Sequence, residues 1–248
     1  MQLLKVFHCA QGLASLARYS QTKLVTPESV LEHTGWVTLF TYLLGVELNT
    51  VAGGFQYAVD MDELLSRAVV HDIEELVTGD IARPVKYHST ETIAIFKKLK
   101  DEGIIRVIEE LHLCNTANEI VLATSNRAKL GKIGALVDLA DKAAVVYKLW
   151  DEILCRGNLT MVKQANNVAK FLPALKRKLD NDQWFNAEQR LYLVVLCVEL
   201  IRIVQEAADQ DNRMLGTIHE DYNPGETTSR NATASLGTQP RPDSDDAA

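Results

Sequence analysis

The chain has 248 residues, of which 47% are hydrophobic and 24% charged, enough apolar material for one large core or two small ones. A formal net charge of −7 argues against a nucleic-acid polymer as partner, because phosphate-backbone binding needs many clustered Lys and Arg. The longest apolar run, LYLVVLCVELIRIVQ, is interrupted by Glu199 and Arg202, so no membrane partner is expected either.

With only six prolines and 13 glycines among abundant Leu, Ala, Val, Lys and Glu, the composition favours an all-α protein. Apolar spacing and start signals predict helices over 3–19, 30–49, 60–77, 89–101, 103–112, 127–156, 159–180 and 187–209. The first carries Lys5, His8 and Gln11 where a signal peptide needs an unbroken apolar stretch, which predicts a cytoplasmic protein. Asp60 and Ser89-Thr90 are the clearest helix starts, and the segments GGFQYAVD, TGDIARPVKYH and CNTANE collect Gly, Pro and Asn and are expected to be loops. Cys9, Cys114, Cys155 and Cys197 lie far apart without a CxxC pair, which assigns them to packing as reduced thiols. From Gly216 the chain is poor in large apolar residues and carries −4 of the net charge, so residues 216–248 are expected to form a disordered acidic tail after a folded unit of 1–215.

Three of the helices carry residues that a purely structural role does not explain. His33 shares an apolar face with Trp36, Val37, Phe40 and Leu44; taken alone it is a core histidine. His71 and the adjacent Asp72 follow the apolar Ala68-Val69-Val70, and a continuous helix there stacks Glu75 one turn beyond His71. A histidine and a carboxylate side by side can serve one divalent cation, although an isolated His-Asp pair is more often a helix-end ion pair. In the helix over 127–156, Asp141 lies on a line of small and apolar residues, whereas Asp138 has Lys142 four positions on as a partner. Burying an uncompensated carboxylate is costly, so Asp141 is the better ligand candidate, with Asp138 in reserve.

The order His33, His71-Asp72, Asp141 in a helical chain resembles the H…HD…D signature of the HD-domain metal-dependent phosphohydrolases. RYSQTKLVTPESVLEH, HDIEELVTGDIARPVKY and LVDLADKAAVVYKLWDEILCRGN are similar to segments of the bacterial YfbR-like 5'-deoxynucleotidases, over about residues 1–180. The resemblance implies a single HD-domain helical bundle in which His33, His71, Asp72 and Asp141 hold one divalent transition metal ion, with Co, Mn, Zn, Fe and Ni not distinguished. It makes Glu75 the catalytic acid and Arg18 the phosphate-orienting group, with Tyr19, Asp80, Ile81, Ala82, Arg83 and Lys86 along the substrate. The implied activity is removal of the 5'-phosphate from 2'-deoxynucleoside monophosphates by a homodimer or larger homo-oligomer. Two positions depart from the family pattern. Tyr19 stands where a tryptophan helps exclude a ribose 2'-hydroxyl, and Arg83 adds a cation that suits a longer phosphate chain. The second departure supports an alternative reading as a triphosphohydrolase of the dATP type, and a third reading is a non-catalytic helical metal-binding regulator.

Overall fold

The computed structural model describes residues 3–86, 88–112 and 114–210, so the expected tail and the boundary at 215/216 lie outside the described residues. The protein is all-α. Helices α1 (Leu3–Ser15), α2 (Val30–Thr50), α3 (Met61–Val69), α4 (Glu75–Thr78), α5 (Arg83–Lys86), α6 (Thr90–Leu111), α7 (Asn115–Arg127), α8 (Gly131–Leu149), α9 (Val162–Asp180) and α10 (Ala187–Ala208) follow one another. Short 3₁₀ turns occupy Phe55–Tyr57 and Leu159–Met161, and a π-helical turn spans Trp150–Cys155. Among the described residues, extended pairing is confined to one antiparallel bridge between Ala17 and Ser29.

The predicted start signals act as caps. The Asp60 carboxylate accepts the Glu63 N–H at 3.0 Å, and Ser29 with Glu32, Ser89 with Thr92 and Asn186 with Gln189 form reciprocal capping pairs, each satisfying amides that the first helical turn leaves free. The core is built on α8, whose Leu136, Val137, Leu139, Ala140 and Ala144 are buried between Val37, Leu44 and Leu48 of α2, Leu64 of α3, and the inner faces of α9 and α10.

Several expectations about element boundaries are corrected. The two helices expected over 89–101 and 103–112 are one, because Gly103 lies buried inside α6; a Cβ there would come within 3.4 Å of the Glu74 carbonyl oxygen, so its lack of a side chain lets α6 pass close to the HD turn. The expected loop CNTANE opens α7 instead, and the helix expected from 127 begins at Gly131. Cys197 is buried, but Cys114 and Cys155 are exposed and Cys9 is half-buried. Packing therefore explains Cys197 and not the two thiols that sit at a helix start and at the end of the π-turn. No helix among the described residues is long and apolar enough to cross a membrane.

Candidate active site

The helix expected over 60–77 is interrupted, and the interruption builds the site. The His71 Nδ1–H donates to the Ala68 carbonyl at 2.7 Å, occupying the acceptor that the Asp72 N–H would use in a continuing helix; such local side-chain bonds compete with the helical ladder. The following amides reach back only three residues, Ile73 to Val70 and Glu75 to Asp72. The tight turn swings His71 inward beside His33 of α2, ring centres 5.5 Å apart, and both imidazoles are fully buried. Glu74 is buried as well, its Oε1 2.5 Å from Lys100 Nζ of α6, which also donates to the His71 carbonyl at 3.3 Å.

One ligand atom from each of His33, His71 and Asp72 lies within 4.8 Å of the other two. His71 Nε2 is 2.9 Å and His33 Nε2 3.8 Å from Asp72 Oδ2. The His71 Nε2, buried without a hydrogen-bond partner, faces the Asp72 carboxylate oxygen. Two imidazoles and a carboxylate converging at this spacing fit a borderline divalent ion. Burial opposes ionisation of Asp72, but His71 and Lys129 hold its carboxyl well below the usual range. Burial and the Arg18 charge push His33 down to about 4, against the pull of Asp141, which leaves a neutral imidazole at physiological pH.

Asp141 reaches this cluster through His33, Oδ1 to Nε2 at 3.2 Å. The expectation that it has no local partner is corrected: its Oδ2 lies 2.7 Å from Lys142 Nζ and 2.8 Å from Lys129 Nζ. Lys142 folds back to bridge Asp138, at 3.2 Å, as well as its neighbour. Against the cost of burial, the two lysines hold Asp141 well below the carboxylate range. Lys129 had no signal in the sequence; it is presented by the turn before α8, whose Arg127 and Leu130 carbonyls accept hydrogen bonds from the buried Arg67 at 2.7 and 2.6 Å.

The segment after α1 completes the site. The Arg18 N–H donates to the Glu28 carbonyl at 2.8 Å, and its Nη1 lies 3.6 Å from the buried Glu28 carboxylate, too far for a hydrogen bond. Tyr19 has a left-handed backbone, φ 57°, unusual for a residue with a side chain, and its N–H donates to Asp80 Oδ2 at 3.0 Å. The Tyr19 hydroxyl is buried without a partner, and burial above all pushes it up to about 12. Glu75 opens α4 with one buried oxygen free of hydrogen bonds; burial, then the charges of Asp72 and Asp80, push it up to about 9. Ile81 and Ala82 follow in the half-buried loop to α5. Lys86 is half-buried without a side-chain hydrogen bond or ion pair among the described residues. The Arg83 side chain lies outside them. A cavity of about 640 Å³ between α1 and α6, lined by Lys5, His8, Arg106 and His112, is separate from this cluster.

A 5'-deoxynucleotidase of Vibrio parahaemolyticus is 31% identical over 85 residues, 34% of this chain and 42% of that protein. One of Photorhabdus laumondii is 29% identical over 99 residues, 40% and 49% of the two chains. The matching region thus spans less than half the length of these curated relatives. Among solved structures, an HD-domain phosphohydrolase of Listeria innocua superposes with a TM-score of 0.59 at 22% identity, covering 81% of this chain and 98% of the other. The cyanophage S-2L HD phosphohydrolase, bound to dA and one catalytic Zn²⁺ ion, gives 0.51 at 16% identity, covering 79% and 95%. The family described as 5'-deoxynucleotidase YfbR-like matches residues 5–188, which span every residue of the buried cluster, and the chain belongs to that family.

Proposed function

We propose that the protein is a metal-dependent hydrolase that removes the 5'-phosphate of 2'-deoxynucleoside monophosphates in the cytoplasm. The observation that carries the reading is the convergence of buried His33 and His71 with half-buried Asp72, His71 Nε2 having no hydrogen-bond partner, in a chain of the YfbR-like family. His33, His71, Asp72 and Asp141 would hold the ion. When bound, a divalent ion polarises a phosphoryl oxygen and lowers the pKa of a coordinated water. Arg18 keeps its charge, since the carboxylates of Glu28, Asp141 and Asp80 oppose burial and hold it above its ordinary value, and its planar fork suits two phosphate oxygens. Glu75, pushed up to about 9, carries a proton near neutrality and can deliver it to the departing 5'-oxygen. Asp80, engaged with the Tyr19 amide, has a second oxygen that can accept a hydrogen bond from a sugar hydroxyl. Tyr19, Ile81 and Ala82 line the approach, and Arg83 and Lys86 stand at the two ends of α5 that follows.

The homo-oligomer is part of the same proposal. Leu43 of α2, Tyr147 and Trp150 around the end of α8, and Tyr192 of α10 are partly exposed around an apolar groove of about 490 Å³. Exposed apolar surface of this extent suits coverage by a second copy.

Product analysis after incubation of metal-loaded protein with dAMP, dATP, AMP and ATP tests the reading, with Asp72→Ala and Glu75→Ala as controls. Orthophosphate from dAMP is expected. Triphosphate and deoxyadenosine from dATP would instead establish the triphosphohydrolase, and no turnover despite bound metal would establish a regulator. Equal rates on AMP and dAMP would show that Tyr19 does not exclude the 2'-hydroxyl.

A further inference from the structure

The motif segment YKLWDEILCRGN carries no assigned role, yet it encloses one of the few fully buried carboxylates of the fold. Glu152 lies in the π-helical turn that ends α8, and its relative exposure is 0%. An extra residue per turn is a costly irregularity found mostly where it re-aims a side chain, and here it turns Glu152 toward the segment between α1 and α2. Glu152 Oε2 accepts the Val25 N–H at 2.8 Å and the Asn158 side-chain amide at 2.6 Å, while Oε1 accepts the Thr26 N–H at 2.8 Å and faces Lys148 Nζ at 3.0 Å. Lys148 also donates to the Thr26 carbonyl. Asn158 donates to the Lys23 carbonyl at 2.9 Å, and Gln164 to the Thr22 hydroxyl at 2.6 Å. A segment without regular structure thus has its backbone groups satisfied from outside. Two residues further on, Glu28 presents both its carbonyl and its carboxylate to Arg18.

We infer that Glu152, held by Lys148 and Asn158, is a positioning residue that fixes segment 22–28 and thereby sets Arg18 against the substrate phosphate; the inference rests on the phosphohydrolase reading above. Glu152 touches no reacting group. In Glu152→Gln an –NH₂ faces two donors and Lys148 loses its counter-charge, so the segment is released while the His33, His71 and Asp72 cluster is untouched. The milder Asn158→Ala removes the tie to Lys23 and one donor to Glu152.

The test is a double-mutant cycle on dAMP turnover, read beside amide hydrogen exchange of peptides covering 18–28 and 30–50. Expected are faster exchange in 18–28 alone and a fall in kcat/KM of at least about tenfold for Glu152→Gln, with a smaller fall in the same direction for Asn158→Ala. On an Arg18→Ala background the Glu152→Gln loss should shrink below about twofold, because residues acting through one group do not add. A full tenfold loss on that background, or unchanged exchange in 18–28 in both variants, would overturn the inference. If the wild-type protein turns over no nucleotide, the function reading fails by itself. The exchange of 18–28 then still decides whether Glu152 holds the segment: faster exchange confined to it supports the hold, and no change removes it.

Discussion

The same carboxylate makes a quantitative prediction about stability. Burial raises the Glu152 pKa, but the hydrogen bonds from Asn158, Val25, Thr26 and Lys148 outweigh it and bring it from 4.5 to about 2. A depressed folded-state value means that the carboxylate stabilises the fold above its unfolded pKa, and that the contribution is lost as pH falls through the folded one. A shift of that size corresponds to about 3 kcal/mol near neutrality and roughly half of that at pH 3. Glu152→Gln does not titrate and leaves two donors opposed, so the variant should be less stable than wild type by about 3 kcal/mol at pH 7, roughly a 6–12 °C drop in Tm for a folded unit of this size. Thermal melts followed by circular dichroism at a series of pH values between 7 and 3 read both stabilities. The gap between them should narrow steadily on acidification. A gap that stays constant from pH 7 to pH 3, or one below about 1 kcal/mol at pH 7, would refute the argument that Glu152 is held as a carboxylate by its four donors.

Other perturbations reach the remaining parts of the molecule. A Cβ at the buried Gly134 would meet the Lys129 carbonyl carbon at 2.2 Å; because that neighbour is backbone, Gly134→Ala should shift the turn before α8, cost about 1–3 kcal/mol and break the Lys129–Asp141 pair. A melting temperature equal to wild type would show that the turn is free to move. Asp72→Ala should lose bound metal as measured by mass spectrometry, whereas Glu75→Gln should keep it while kcat falls roughly 10²–10⁴-fold; loss of metal from both variants would place Glu75 among the ligands instead. Leu43 is exposed and lines the apolar groove, so under the proposed homo-oligomer Leu43→Glu should give a monomer in light scattering without lowering turnover of the folded protein, and an unchanged mass would move the interface elsewhere.

How much of this was legible before folding depends on the reach of each interaction. Local signals read correctly: Asp60 and Ser89 cap the helices they were expected to start, and apolar spacing located α2, α9 and α10, since capping and amphipathic periodicity are set within a few residues. His33, His71, Asp72 and Asp141 stood out because an imidazole or carboxylate on an apolar face needs a reason, and the spacing of the motif supplied one. The break after Val69 did not, because helix propensity continues through Val70 while the competing bond from His71 to Ala68 exists only once the imidazole is driven inside. The split expected between 101 and 103 does not occur, and Gly103, packed against Glu74, lies within one helix. The sequence by itself determined the class of fold and the caps, local consequences of side-chain type and order. Only the tertiary structure decided that His33 meets Asp141 across 108 residues, that Lys129 neutralises that aspartate, and that Glu152 grips Val25 and Thr26 from 127 and 126 residues away. Those contacts join charges to partners that no periodicity relates, and burial, which makes an unpaired carboxylate so costly, selects the partner only when the helices pack.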